Sequence, residues 1–178
     1  MGSVLSRCLN RKKRSVIIIG AADSGKTQLI QNMKKDKYMT EKTTSIYEQH
    51  LIRAKGYALD LFDLSGDPKH SQFWKFYTES SHLVVFVVDV SSKEKIVQSK
   101  EVFESFYTSY CMQKENLIFI LNKIEEGPQE SRDEMISMFH DQFQGIFGVS
   151  KRLTHKMLVV NAAEPRKALT FICKSLKQ

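Results

Sequence analysis

The segment Ser15–Thr27, SVIIIGAADSGKT, constrains this chain more than any other. Val16–Ile19 is a run of β-branched residues, the mark of a strand buried on both faces. It leads directly into Gly20, Gly25, Lys26 and Thr27, which complete the pattern G-x-x-x-x-G-K-[ST]. Glycine lets the backbone turn so that successive N–H groups point inward at phosphate oxygens. Ala21, Ala22, Asp23 and Ser24 supply those N–H groups. Lys26 is placed to reach β- and γ-phosphates, and the Thr27 hydroxyl to ligate Mg2+. A helix over roughly 26–35 follows, with Gln28 in its first turn, and offers its positive end to the same anion. Buried strand, glycine turn and helix in that order imply a nucleoside-triphosphate site.

At 178 residues the chain has the length of one domain with a full core. No apolar run approaches the ~20 residues that span a bilayer, and no signal-peptide pattern opens the chain. Cys8, Cys111 and Cys173 are widely spaced, form neither a disulfide framework nor a zinc pattern, and fit a reducing compartment. The five histidines show no ligand spacing. Net charge is +7, which fits nucleic acid, an anionic membrane or a solvated surface until its placement is considered.

Part of that charge sits in residues 1–14, MGSVLSRCLNRKKR, which read as a segment apart from a domain over 15–178. Gly2 and Ser6 match the N-myristoylation pattern M-G-x-x-x-[ST]. Val4, Leu5, Cys8 and Leu9 share one face of a helix. A single myristoyl chain anchors only marginally, and Arg11–Arg14 would supply the second signal. Cys8 is a candidate for palmitate. An unmodified tail whose basic run merely flanks the first strand is the competing reading. No aromatic residue is interleaved with the basic run, which argues against nucleic acid.

Beyond the glycine loop, a polar stretch over 36–45 precedes strands at 46–54 and 57–64, joined by a turn at Lys55-Gly56. The second strand ends in Asp63-Leu64-Ser65-Gly66, a D-x-x-G in which Asp63 would hold Mg2+ through water and the Gly66 N–H would contact a γ-phosphate. Further strands are expected at 83–90, 117–121 and 157–160, and helices at 92–112, 130–144 and 166–176. Alternation of strands and helices implies α/β architecture, with ligands at the strand C-termini. Gly20, Asp63, Asn122 and Asn161 all fall at such ends.

With these motifs assembled, the chain resembles a small GTPase of the ADP-ribosylation factor (Arf) and Arf-like family, over essentially its whole length. The resemblance rests on GAADSGKT at 20–27, Thr44, DLSG at 63–66, LNKIE at 121–125 and NAA at 161–163, with Gly2 and the spacing of loop, Thr44 and Asp63. It implies a P-loop small-GTPase fold, a mostly parallel six-stranded sheet with helices on both faces. It further implies a GDP/GTP switch on the cytosolic face of membranes, of vesicle or protein trafficking type, with effector and exchange-factor proteins as partners. Thr27 and Thr44 would bind Mg2+, with Asp63 behind a water. Asn122, Lys123 and Glu125 would hold the guanine base, with Asn161 and Ala162 beside it. Tyr47, Phe62 and Tyr77, with Trp74 nearby, look like the surface that Arf proteins show to effectors.

Four positions depart from the family pattern. Asp67 stands where glutamine orients the attacking water beside Lys26 and Gly66; an anionic, shorter side chain there implies very slow hydrolysis. Glu125 replaces the base-reading aspartate, Ile46 a common glycine, and Thr43 a proline, so that Thr43 and Thr44 both compete as switch threonine. Two readings follow: an Arf-like switch with weak or absent turnover, and a nucleotide-held interaction module that never cycles. A P-loop kinase of a small substrate is disfavoured, because no Arg-rich lid segment is present.

Overall fold

The computed structural model describes residues 11–34, 41–44, 46–110, 116–124, 129–149, 156–160 and 164–177. Its strands are β1 (Lys12–Ile19), β2 (Glu41–Thr43), β3 (Tyr47–Ala54), β4 (Tyr57–Leu64), β5 (Leu83–Asp89), β6 (Leu117–Asn122) and β7 (Lys156–Val159). Its helices are α1 (Lys26–Lys34), α2 (Trp74–Glu79), α3 (Lys93–Tyr110), α4 (Gln129–Val149) and α5 (Pro165–Ser175), with a 3-10 helix over Pro68–Phe73.

The strands form one sheet in the order β2-β3-β4-β1-β5-β6-β7. From β4 to β7 all neighbours are parallel, and β3 joins β4 as an antiparallel hairpin. The six expected strands are all present. The seventh, β2, is a three-residue edge strand within what reads as a polar loop, held by pairing with His50–Glu48 rather than by any apolar pattern of its own. β1 also begins at Lys12, three residues ahead of the expected domain start, because Lys12–Arg14 pair with Tyr57–Leu59.

The central strands β5 and β6 are apolar up to their last residues, Asp89 and Asn122, because both faces are covered. Alternation then sorts their side chains. Ile17, Ile19, Phe86, Val88, Phe119 and Leu121 face a core shared with α3 and α4. Val16, Ile18, Val85, Val87, Ile118 and Ile120 face a second core shared with α1 and α5. The first core is built on phenylalanine: Phe103 lies 5.0 Å from Phe119 and Phe139 lies 4.5 Å from Phe143, ring centre to ring centre. Each such pair adds about 0.5–1.5 kcal/mol beyond its buried area. α5 buries Ala168, Ile172 and Cys173, with Leu169 and Leu176 at the margin. The rigid sheet fixes the ends of β1, β4, β5 and β6, and the candidate site is assembled there.

Candidate nucleotide-binding site

Three segments leave the same edge of the sheet: the loop from β1 to α1, the end of β4, and the turn after β6. In the first, Asp23 has φ of 60° and Gly25 φ of 85°, so the loop curls in left-handed steps. A Cβ on Gly25 would lie 2.3 Å from Asn122 Nδ2, so only glycine fits beneath that amide. Asn122 Nδ2 donates to Ser24 O at 2.9 Å. Asn122 and Ser24 are both fully buried, and this bond braces the loop from β6.

Lys26 opens α1 and is buried. Its Nζ donates to Ala21 O at 2.7 Å, to Gly20 O at 3.2 Å and to Ser24 Oγ at 3.4 Å, so the ammonium sits across the mouth of the loop. Burial lowers its pKa from the ordinary value, while the charges of Asp63 and Asp23 act in the opposite direction. One residue on, Thr27 Oγ1 donates to Asp63 Oδ2 at 2.5 Å. Burial raises the Asp63 carboxyl above the usual range, partly offset by the Thr27 bond and the Lys26 charge. A cleft of about 510 Å³ opens here, lined by Lys26, Thr27, Thr44, Glu48, Asp63 and Gly66 among others.

Gly66 approaches the loop so closely that a Cβ would lie 2.8 Å from both Ala22 N and Gly20 O. The D-x-x-G end thus rests directly on the glycine loop. Trp74 holds it there: its Nε1 donates to Ser65 O at 3.1 Å. Ser65 N in turn donates to Ile46 O at 2.9 Å, linking the start of β3 to the end of β4.

Several expected site residues take unexpected places. Trp74 is buried at 1 % exposure and packs edge-on against Phe106, so it is no part of an exposed aromatic surface. Its large apolar area and single polar atom are both satisfied inside. Tyr47, Phe62 and Tyr77 do cluster, with ring centres 5.1–5.9 Å apart, and each is partly exposed. Asp67 turns its carboxylate onto the backbone N–H of Lys69 at 2.9 Å and caps the 3-10 helix that starts with Pro68. Gln28 lies along α1, donating to Asn32 Oδ1. Thr43 ends β2, whereas Thr44 lines the cleft; the Thr44 hydroxyl accepts the Ile46 and Tyr47 N–H groups and donates to Tyr47 O. Gly2, Cys8, Glu125, Asn161 and Ala162 lie outside the described residues.

Asp89 and Glu48 escape a reading by motif. Lys123, with φ of 65°, ion-pairs to Asp89 at 2.8 Å, and Ser91 donates twice to the same carboxylate. Burial alone would raise the Asp89 pKa, but the Lys123 and Ser91 bonds outweigh it and hold the carboxyl below its usual range. Glu48 lines the cleft opposite Asp63. A carboxylate ending β5 and an acidic residue two before a buried histidine are the only sequence signals.

The family model for ADP-ribosylation factors matches residues 1–164. The chain belongs to that family. Two solved structures share its fold. One is the Arl6 BBS3 small GTPase from Trypanosoma brucei with bound nucleotide analogue GppNp, at TM-score 0.73 and 18% identity, over 93% of this chain and 96% of that one. The other is translation elongation factor SelB from Methanococcus maripaludis in complex with the GTP analogue GppNHp, at TM-score 0.71 and 15% identity. That match spans 96% of this chain but 35% of the elongation factor. The Arf-family assignment accounts for the meeting of P-loop, D-x-x-G and Asn122-Lys123 at one sheet edge.

Among the described residues no group of three His, Cys, Asp or Glu side chains converges on a point. Thr27 and Asp63 offer oxygen donors of the kind hard cations take, and Asp63 Oδ1 is buried with no hydrogen-bond partner. The residues present therefore fit a cation that takes its other ligands from phosphate and water.

Proposed function

We propose that this Arf-family chain is a GTP/GDP-binding switch that works with Mg2+ at the cytosolic face of membranes and hydrolyses GTP very slowly on its own. The carrying observation is the contact of Gly66 with the glycine loop, beside the Thr27–Asp63 bond. Backbone N–H groups of Ala21–Lys26 would cradle the phosphates, with the Lys26 ammonium moving from loop carbonyls to phosphate oxygens. Thr27 and Asp63 would hold Mg2+, which neutralises phosphate charge when bound. Asn122 and Lys123 would hold the guanine base, with Glu125 completing the set.

Slow turnover follows from Asp67. Its carboxylate is engaged in a helix cap and carries negative charge, so it neither donates to an attacking water nor suits the neighbourhood of a γ-phosphate. That cap also supports a second reading, a module that holds nucleotide without cycling and presents Tyr47, Phe62 and Tyr77 to effectors. The nucleotide that co-purifies, released by denaturation and separated by chromatography, tests the switch. GTP is expected. GDP would mean that turnover proceeds by another group, and adenine nucleotide or none would overturn the switch.

The membrane part of the proposal rests on Gly2 with Arg11–Arg14. Exchange factors and a trafficking role belong to the same proposal. Gly2→Ala is expected to move the protein from membrane to cytosolic fractions; unchanged fractionation would remove the lipid anchor from the proposal.

A further inference from the structure

Glu48 and Asp63 are 15 positions apart in the chain, yet the β3–β4 register sets them directly opposite each other. Side chains of such a pair emerge on the same face, about 4.5–5.5 Å apart at Cβ, and like charges there destabilise a sheet. Both residues line the cleft beside Thr27. Asp63 is 5 % exposed, and the Glu48 charge adds to burial in raising its carboxyl.

Asp63 Oδ2 is taken by Thr27, and Asp63 Oδ1 is buried in the cleft wall without a partner. The donors of Lys26 go to Gly20 O, Ala21 O and Ser24 Oγ, not to either carboxylate. The charge of Lys34 also acts on Asp63. Glu48 Oε2 lies 3.5 Å from Nε2 of buried His50 on the same strand, and its side chain is 38 % exposed. Two facing carboxylates, one with an orphaned oxygen, form an oxygen-donor set suited to a hard divalent cation.

We propose that Glu48 supplies a second anionic donor, alongside Asp63, for the divalent cation of the nucleotide complex. The inference rests on the nucleotide reading above and adds a residue to it. Its consequence is that cation retention depends less on a γ-phosphate, because protein carboxylates provide negative charge that a triphosphate would otherwise bring. The diphosphate complex then holds its cation firmly.

The test is Mn2+ titration, followed by electron paramagnetic resonance, of wild-type protein and Glu48→Gln. Each is measured with GDP, with a non-hydrolysable GTP analogue, and without nucleotide. Glu48→Gln is expected to weaken Mn2+ binding about tenfold with GDP and less with the GTP analogue. Glu48→Asp, which keeps the charge, is expected to fall between and guards against a folding defect. Equal Mn2+ affinities of wild type and Glu48→Gln would overturn the proposal. Failure to retain GDP at all would instead overturn the nucleotide reading. The nucleotide-free titration then decides for Glu48: the same tenfold ratio supports it, and equal affinities overturn it.

Discussion

The Thr27 hydroxyl donates to Asp63 Oδ2 at 2.5 Å, tying the first turn of α1 to the end of β4. The two residues are 36 positions apart in the chain, with β2 and β3 between them. Their junction occupies Asp63 Oδ2 and leaves Asp63 Oδ1 buried without a hydrogen-bond partner. Four expectations follow from the geometry around it.

Gly66→Ala places a methyl group 2.8 Å from Ala22 N and Gly20 O, which are backbone atoms of a braced loop. The end of β4 must lift. On the proposed contact of the Gly66 N–H with a γ-phosphate, triphosphate binding is expected to weaken about tenfold, ~1.4 kcal/mol, with diphosphate binding little changed. Equal losses for both nucleotides, measured by calorimetry, would show that Gly66 does not distinguish them.

Asp67→Gln exchanges a charged cap for a neutral amide. Loss of the Lys69 N–H bond is expected to cost about 1 kcal/mol of stability. Intrinsic GTP hydrolysis in single-turnover assays is expected to rise at least about tenfold, ~1.4 kcal/mol of barrier. An unchanged rate would show that another feature limits turnover.

Trp74 serves the core and the site together. Trp74→Phe keeps most of the packing against Phe106 but loses the bond to Ser65 O, an expected cost of about 1 kcal/mol. Trp74→Ala empties a fully buried site and is expected to cost about 3–5 kcal/mol in urea unfolding. Equal costs for the two variants would mean that the indole N–H contributes most of the effect.

Asp89→Asn breaks the ion pair that holds Lys123. At pH 7 the expected loss is about 1.5–3 kcal/mol, the range for hydrogen bonds to a charged group. The carboxyl is held below its ordinary value of 3.8, so its stabilising effect is present above that pH and is lost as pH falls through the lower folded value. Wild type and variant should therefore converge only below pH 3.8. Convergence nearer neutrality would mean that a different group titrates.

What was legible in the sequence was local. β-branched runs and apolar stretches marked the buried strands, and the Lys55-Gly56 turn placed the hairpin, with β4 observed over Tyr57–Leu64 as expected. The P-loop and D-x-x-G could be read because phosphate and cation chemistry demand particular residues at fixed spacing. Other features depend on what the chain brings together from afar. The segment 68–79 is too short to show a helical period, so its 3-10 turn and α2 appear only once Asp67 caps the first and Trp74 is drawn into the core. Glu48 reads as one more surface acid until strand register sets it against Asp63. Asp89 reads as the polar end of an apolar strand until the turn after β6 delivers Lys123 to it. Sequence by itself determined six of the strands, four of the helices and the glycine loop, because those depend on neighbouring residues. Tertiary structure alone decided which charges meet and which aromatic is hidden, because register and burial are properties of the assembled sheet.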